Sequence, residues 1–532
     1  MKKNCIFLLL DSITYDAINS EEKSKYLFPN LYQLYTKYNL KKCVSNSNCT
    51  QFVLPSLFSL TMPLDEGGYD YGVKNRQITW LEILKQKGYS TLIFSNCNQI
   101  GADNGYDRGA DENINSFDYR LILEQKMNRV ILPNYEKKIY DSKRDKDLLN
   151  DYKNLITEIH NKINIADTLI WNNKLKNINF NIKINIGYEL NLINKKPETV
   201  IKKLLSINPA SLWLFLGDDN LSGINFFIKR VFGSINWRIK YMITKSNLPI
   251  NFLGHKTVNM IDNFENFKNK LKEIKKPFFI YHHVMDLHDY ENFNGFNIFF
   301  KKLLNYPKWL KHTSNLRRKK KFFYDSTLML LDEYVGKILK IIDTETVLFI
   351  TSDHGHRKSL KKQISRYYID QDKFNEMHGE DLEVPVMSNV QFSNYEKNKE
   401  LFDTISVSKT VIDILGINIS EYSKTINYEN QLIISEHSGR GSFDLRKNLY
   451  FTISSVKFRM IVSIINDEIF IKFYDIFLDL DETNDVSADE SYAKEMIFFF
   501  NFLLESRKEI LSIKFKSVKK IHNKFLSKTH GL

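Results

Sequence analysis

The chain alternates between apolar runs and helix-like stretches in the order that a parallel β-sheet requires. The segment NCIFLLLD, at residues 4–11, is apolar up to its acidic end, which is typical of a strand buried on both faces. A helical pattern follows at residues 29–38, and ITWLEILKQKGYSTLIFSN predicts a helix that stops at Gly88 before a second buried strand. Strand, helix and strand patterns return in PFFIYHHVMD, at residues 322–342 and in ETVLFITSDHG. The chain therefore predicts an α/β layered domain with a mostly parallel central sheet, helices on both faces and right-handed crossovers.

Two regions depart from this alternation. Residues 106–264 are rich in Asn, Lys and Ile, and we interpret them as a mostly helical insertion over the site. From residue 428, β-branched and aromatic runs follow one another closely, which predicts a small C-terminal antiparallel sheet. The predicted units are a main α/β domain at 1–427 that contains the insertion, a small α+β subdomain at 428–495 and a basic helical tail at 496–532.

The composition is that of a core-forming protein. The 532 residues are 43% hydrophobic and 13% aromatic, enough for one large domain with an appendage or for two domains. The first apolar run ends at Asp11, too early for a secretory signal, and no later segment offers about 18 uninterrupted apolar residues. We therefore expect a cytoplasmic protein. The four cysteines form no CxxC pair, which argues against a disulfide scaffold or a cysteine zinc site.

The net charge of +13 is concentrated in two clusters, at 317–321 and 507–528. Such clusters are usually solvated surface, and the alternative is contact with an anionic partner such as a membrane surface or a phosphorylated glycan. The last segment interleaves apolar residues with lysines, so a basic helix there could pack on the body or touch a membrane peripherally. No nucleic-acid partner is expected, because the aromatic-and-glycine pattern of an RNA-binding sheet is missing from the sequence.

Carboxylates and imidazoles stand where predicted strands end. Asp11 ends the first strand, and Asp353 and His354 end a later one, directly before Gly355. Ligands of α/β sheets collect at the carboxyl ends of strands. An adjacent Asp-His pair can hold one cation from two directions, and Asp11 would supply a third ligand.

The stretch NCTQFVLPS offers a nucleophile for such a site. The hydroxyl of Thr50 becomes a good nucleophile once its proton is removed, which a neighbouring cation promotes. Two alternatives stay open: Cys49 could be the nucleophile instead, or Thr50 could simply cap the helix that follows.

The order of LLLDS, T-x4-P-S-x-F-S, KPFFIYHHVMDLHDY, VLFITSDHGH and MHGEDLEVPVM resembles the sulfatase branch of the alkaline phosphatase superfamily, over about 4–100 and 265–420. FYDIFLDLDETNDVS is similar to the C-terminal segment of sulfatases. The resemblance implies an alkaline-phosphatase-like fold, with Asp11, Asp353 and His354 as metal ligands. Thr50, five residues before Pro55, matches the threonine that takes up the transferred group in the phosphoethanolamine transferases of this superfamily, and it would also touch the metal.

Three further residues enter through the same resemblance. His288 and His378 match histidines that bind substrate or a second cation, and either could protonate the leaving oxygen. Asp286, two residues before His288, would join a second metal site. At least one of His282 and His283 is expected to face the core as a neutral, hydrogen-bonded imidazole, since only His288 is in register with the motif.

Departures from the family pattern restrict the chemistry. Val53 and Leu57 stand where formylglycine-forming sulfatases have Cys or Ser and Arg, so formylglycine chemistry is not expected. The paired aspartates of the family are reduced to Asp11 and Ser12, which removes a ligand from an all-oxygen calcium site. A site with His354 suits zinc or manganese better than calcium, with one or two ions.

These inferences predict a metal-dependent hydrolase of sulfate or phosphate esters, acting on a small-molecule, glycan or glycolipid-type substrate through a covalent threonyl intermediate. One alternative is a group transferase of the phosphoethanolamine type. The other is a degenerate, non-catalytic protein that binds an anionic glycan. Sulfate and phosphate are both tetrahedral anions, so the sequence leaves that choice open.

Overall fold

The computed structural model describes residues 2–38, 40–101, 104–115, 118–127, 131, 142–166, 173–206, 259–290, 296–312, 319–356, 376–392, 401–418, 432–439, 448–465 and 468–514. Its main sheet has eight strands in the order β4-β3-β5-β1-β6-β7-β2-β8. These strands are β1 (Asn4–Leu10), β2 (Lys41–Val44), β3 (Ser90–Ser95), β4 (Glu112–Asn115), β5 (Phe278–Val284), β6 (Thr346–Thr351), β7 (Glu383–Ser388) and β8 (Phe402–Asp403). All neighbours pair in parallel except β7, which runs antiparallel to both β6 and β2.

Helices cover both faces of this sheet. The helices are α1 (Tyr15–Ile18), α2 (Glu21–Leu27), α3 (Pro29–Tyr38), α4 (Thr50–Ser59), α5 (Trp80–Gln86), α6 (Tyr119–Lys126), α7 (Ser142–Ala166), α8 (Asn173–Lys195), α9 (Pro197–Ser206), α10 (Phe264–Glu273), α11 (Phe296–Leu304), α12 (Tyr306–Leu310), α13 (Lys319–Ile341), α14 (Gly379–Leu382), α15 (Thr404–Ile414), α16 (Ala493–Ser506) and α17 (Lys508–Lys514). Short 3₁₀ turns lie at Asn98–Ile100, Ile261–Asn263 and Glu490–Tyr492.

Strand β1 is apolar after its first residue because both of its faces pack against helices. Side chains alternate across a strand, so Ile6 and Leu8 pack against α3, α10 and α13, whereas Phe7 and Leu9 pack against α4, α5 and α15. Every residue of β1 is buried. The central strand thus joins two separate cores, and the predicted α/β layered fold with a mostly parallel sheet is confirmed.

A second, four-stranded sheet follows in the chain and is antiparallel throughout, in the order β12-β11-β10-β9. Its strands are β9 (Ile433–His437), β10 (Leu449–Ser454), β11 (Phe458–Ile465) and β12 (Glu468–Asp475). Its apolar face shares a core with α16, α17 and the start of α4, where Phe52 lies. The predicted C-terminal antiparallel sheet is therefore present, and it packs beside the segment that carries Thr50.

The segment interpreted as an insertion contains both helices and a strand. Helices α6 to α9 form a small core of their own, while β4 lies within 106–264 but pairs with β3 at the edge of the main sheet. Residues 207–258 of this segment and residues 515–532 of the basic tail lie outside the described residues. Among the helices that are described, none combines the length and the apolarity needed to cross a membrane.

Candidate active site

Three adjacent strands deliver the candidate site. Strands β5, β1 and β6 run in parallel, with Leu9 opposite both His283 and Thr351, so their carboxyl ends meet at one edge of the sheet. Asp11 follows β1, Asp353 follows β6, and His283 lies one residue before the end of β5. All three side chains are fully buried.

The alternation along each strand explains why these side chains converge. Asp11 continues the face of Phe7 and Leu9, Asp353 continues the face of Phe349, and His283 shares its face with Tyr281, all on the side covered by α4. One ligand atom each from Asp11, His283 and Asp353 lies within 4.8 Å of the other two. The sheet thereby builds a compact carboxylate–imidazole cluster.

Thr50 is the first residue of α4 and points into this cluster. Its Oγ1 donates to Asp11 Oδ2 at 3.0 Å and lies 3.2 Å from His354 Nε2. The capping position belongs to Cys49, which has an extended backbone and makes no side-chain capping bond. The hydroxyl of Thr50 therefore faces the candidate site instead of capping the helix. The positive end of the α4 dipole favours negative charge at this position.

The donor set fits a divalent cation. The Oδ2 atom of Asp353 is buried and has no hydrogen-bond partner among the residues that the structure describes, and an unpartnered buried carboxylate oxygen is costly. The Nδ1 atom of His354 lies 2.6 Å from the carbonyl of Gly355. A neutral His354 donates that proton to the carbonyl, which leaves Nε2 as a lone pair facing Asp353 Oδ2 at 3.5 Å.

Charges within the cluster keep the Asp11 carboxylate ionised. Burial alone would raise the pKa of Asp11, but the hydrogen bond from His283 and the charges of His288 and His354 outweigh it and lower that pKa. Burial would lower the pKa of His354, yet the nearby carboxylates of Asp353 and Asp11 raise it. The cluster therefore attracts positive charge, which a proton or a metal ion can supply.

His288 lies at the rim of the cluster, in the turn after β5. Its side chain is 41% exposed, and Nδ1 lies 3.2 Å from Asp289 Oδ1. Desolvation opposes the charged form, but Asp11, Asp289 and Asp353 raise the pKa of His288 to about 10. The ring is thus placed as a proton donor near the exposed side of the cluster.

Asp286, the predicted member of a second metal site, accepts hydrogen bonds from two other segments of the chain. Its two oxygens accept the backbone N–H of Met260 at 3.1 and 3.0 Å, and Oδ2 also accepts from Asn96 Nδ2 at 3.2 Å. Burial raises its pKa to about 7, although these hydrogen bonds lower it. In this arrangement Asp286 anchors the chain at residue 260, and its part in a second metal site stays a prediction.

His378 lies at the junction of the two sheets, directly before α14. Its Nδ1 is 2.7 Å from Glu482 Oε2, and its Nε2 is 3.5 Å from Glu376 Oε2. Glu482 also pairs with the buried guanidinium of Arg459. The structure therefore surrounds His378 with Glu482 from the turn after β12 and with Glu376 from its own segment. A substrate or metal role for His378 stays a prediction.

The neighbouring histidines of β5 take opposite roles. His282 is buried between the carbonyl of Phe94 and the hydroxyl of Tyr334, each 2.8 Å away, and burial lowers its pKa to about 3. This confirms that one of the pair faces the core as a neutral imidazole. His283 lies on the other face, with Nε2 3.2 Å from Asp11 Oδ2. His283 was not among the site residues predicted from the sequence, although counting every second residue along β5 would have found it.

Part of the chain matches a known protein family. Residues 187–417 match the sulfatase family model, a range that contains His283, Asp353 and His354 but neither Asp11 nor Thr50. No curated protein matches the chain. The family match supports the predicted class of enzyme, a hydrolase of sulfuric or phosphoric esters.

Three solved structures illustrate the likeness of the whole chain. A phosphonate monoester hydrolase of Agrobacterium radiobacter is 12% identical, with 96% of each chain covered and a TM-score of 0.48. A 2-O GAG sulfatase is 12% identical, with 96% of this chain and 94% of that chain covered and a TM-score of 0.46. An alkaline phosphatase superfamily protein from Vibrio parahaemolyticus is 10% identical, with 93% and 88% covered and a TM-score of 0.43. At these identities and TM-scores, none of the three structures bears on the substrate of this chain.

Proposed function

We propose that this protein is a metal-dependent hydrolase of the sulfatase type, which cleaves sulfate or phosphate esters through a covalent intermediate on Thr50. One observation carries the proposal: the Thr50 hydroxyl lies within hydrogen-bonding distance of both Asp11 and His354, inside a buried cluster whose donor atoms fit a cation. A protein that only bound an anionic glycan would have no need for a hydroxyl held against these groups.

The residues that would hold the cation are Asp11, His283, Asp353 and His354, with Thr50 beside them. Two imidazoles in this set favour zinc or manganese over calcium, which prefers oxygen ligands. When bound, a divalent cation lowers the pKa of a neighbouring hydroxyl and stabilises charge on the transferred oxygens. A second ion, with His288, His378 and Asp286 as its candidate ligands, stays a prediction.

Proton movements accompany each bond change. Thr50 Oγ1 would attack sulfur or phosphorus, and its hydroxyl, which contacts Asp11 Oδ2 and His354 Nε2, would lose its proton to water once those two atoms hold the cation. As the new O–S or O–P bond forms, the bond to the leaving alcohol breaks, and His288 would donate the proton that this alcohol needs. Water would then attack the threonyl ester, release sulfate or phosphate and restore the Thr50 hydroxyl.

The nature of the substrate is proposed only at the level of its chemistry. A glycan or glycolipid ester remains the proposal for the organic part, as the resemblance implies. Product analysis with added sugar alcohols distinguishes hydrolysis from transfer of the group to an acceptor other than water. The cytoplasmic location and the contact of the basic tail with an anionic membrane stay predictions from the sequence.

Thr50→Ala tests the proposal most directly. We expect turnover of aryl phosphate, bis-aryl phosphate or aryl sulfate esters to fall on the order of 10⁴-fold or more, because the variant lacks the nucleophile. Metal content by elemental analysis and the circular dichroism spectrum should stay close to those of the wild type. In the wild type, rapid acid quenching should yield a phosphorylated or sulfated peptide that contains Thr50.

Cys49→Ser is the matched control, because Cys49 is the adjacent residue and the rival nucleophile. We expect this variant to keep most of its activity. Retained turnover in Thr50→Ala together with lost turnover in Cys49→Ser would transfer the nucleophilic role to Cys49.

A further inference from the structure

Ser12, directly after β1 and Asp11, adopts a backbone conformation that is rare for its residue type. Its φ is +66° in the left-handed region, which residues with a Cβ adopt only at a cost. The side chain is fully buried. A strained, buried serine next to a candidate metal ligand indicates that the strain is maintained for a local purpose.

The conformation lets Ser12 contact both carboxylates of the cluster. Its Oγ donates to Asp11 Oδ1 at 2.7 Å, and its backbone N–H donates to Asp353 Oδ1 at 3.4 Å. The hydroxyl of Tyr324 donates to the carbonyl of Ser12 at 3.0 Å and accepts from the N–H of Thr14 at 3.2 Å. Tyr324 thereby holds the strained turn in place.

These contacts give the two oxygens of each carboxylate different partners. The Oδ1 atoms of Asp11 and Asp353 are both engaged by Ser12. The Oδ2 atom of Asp11 faces Thr50 and His283, and the Oδ2 atom of Asp353 has no hydrogen-bond partner in the described part of the chain. The Oδ2 atom of each aspartate therefore faces the other groups of the cluster, while Oδ1 is held by Ser12.

We propose that Ser12 is a positioning residue that makes Asp11 and Asp353 one-oxygen ligands and so selects a small cation with few ligands over calcium. Zinc is commonly held by four ligands, one atom each, whereas calcium takes six to eight oxygens and often both oxygens of a carboxylate. Withholding Oδ1 from the cation therefore disfavours calcium more than zinc. This inference rests on the cation site of the proposed function.

A purely structural role for Ser12 predicts something different. Glycine adopts positive φ without strain, so Ser12→Gly keeps the turn and its N–H while it removes the CH2OH side chain and with it the hydroxyl bond to Asp11. If Ser12 served only the turn, this variant would fold at least as well and bind metal unchanged. Ser56→Ala is the matched control, because Ser56 is also fully buried and its hydroxyl has no partner within the described ranges.

The experiment is titration of the metal-stripped full-length protein with Zn²⁺ and Mn²⁺ in chelator buffers, and with Ca²⁺ directly. Ser12→Gly should bind Zn²⁺ and Mn²⁺ roughly 10- to 100-fold more weakly, the usual effect of losing an outer partner of a ligand. Its preference for Zn²⁺ over Ca²⁺ should narrow, because Asp11 Oδ1 becomes available. Ser56→Ala should bind all three ions like the wild type.

The outcomes separate the two proposals. Equal affinities and an unchanged ion preference in Ser12→Gly would overturn the role of Ser12 while the cation site stands. A wild-type protein that binds none of the three ions would overturn the cation site itself and the role of Ser12 with it. Should Ser12→Gly fail to fold, Tyr324→Phe replaces it: loss of the hydroxyl that holds Ser12 should weaken Zn²⁺ binding, and unchanged binding would count against the inference.

Discussion

The adjacent histidines of β5 allow a sharp test, because one strand places two identical side chains on opposite faces. Phenylalanine is a suitable replacement at each position, since it keeps a ring of similar volume and removes both nitrogens. At His282 the new ring would preserve the stacking on Phe267, whose centroid lies 4.6 Å away. At His283 it would remove the nitrogen that faces Asp11.

The two variants should differ in metal binding more than in stability. His282→Phe leaves the carbonyl of Phe94 and the hydroxyl of Tyr334 without their histidine partner, which costs about 1–3 kcal/mol for each buried group that stays unsatisfied. His283→Phe leaves the hydroxyl of Tyr281, 3.1 Å from Nδ1, in a similar position. Both variants should therefore be less stable, by a few kcal/mol.

Stabilisation by metal then distinguishes them. At a free zinc concentration of about 1,000 times Kd, binding raises the free energy of unfolding by about 4 kcal/mol. Loss of a direct ligand should weaken binding about 100-fold or more, beyond the usual effect of an outer partner. His283→Phe would then gain only about 1.4 kcal/mol at the same zinc concentration, whereas His282→Phe would keep the full 4 kcal/mol.

The assay is urea unfolding of each variant with and without buffered zinc. If zinc stabilised His283→Phe as much as it stabilises the wild type, His283 would not be a ligand of the proposed cation. Loss of the zinc effect in His282→Phe would show that the two faces of β5 are not independent, and the argument from alternation would fail.

Three further predictions concern stability and proton transfer. Burial raises the pKa of Asp332 to about 6, above its unfolded value, so the folded chain keeps a proton that the unfolded chain loses between about pH 4 and pH 6. The free energy of unfolding should thus fall by at most about 3 kcal/mol as pH rises through that window, and Asp332→Asn should flatten this part of the curve in urea titrations. Arg459→Met should destabilise the protein by about 3 kcal/mol in the same assay, because it leaves Glu482 and Glu383 without their buried guanidinium partner. His288→Gln should slow esters with poor leaving groups more than nitrophenyl esters, and an equal effect on both would exclude His288 as the proton donor.

Much of the site follows from strand patterns alone. The apolar runs before Asp11 and Asp353 place both carboxylates at strand ends, and a parallel sheet brings such ends together. The same alternation assigns His283 to the face of Asp11. We missed it because the motif match gave weight to His288 and left open which of His282 and His283 faces the core. Period-two counting along β5 is a physical signal that needs no motif.

Other candidate site residues are placed by contacts that the sequence does not predict. Asp286 is two residues from His288, which suggests a shared site, but its partners are the N–H of Met260 and the amide of Asn96, both from distant parts of the chain. His378 likewise faces Glu482, which comes from the acidic turn after β12. The pairing of His378 with Glu482 depends on how the two sheets dock. Local sequence patterns carry no information about that docking.

The docking of the second sheet also explains how remote residues support the site. Glu482 accepts from the backbone N–H of Gly379 at 2.9 Å, and so holds the start of α14. The carbonyl of Asp381, in the same helix, accepts from the N–H of Gly355 at 2.7 Å, one residue after His354. A Cβ at position 355 would collide with the carbonyl of Glu380, so only glycine allows this close approach. The turn after β12 thereby fixes the loop that carries Asp353 and His354, and loss of the Glu482 hydrogen bonds should disturb the candidate metal site through α14.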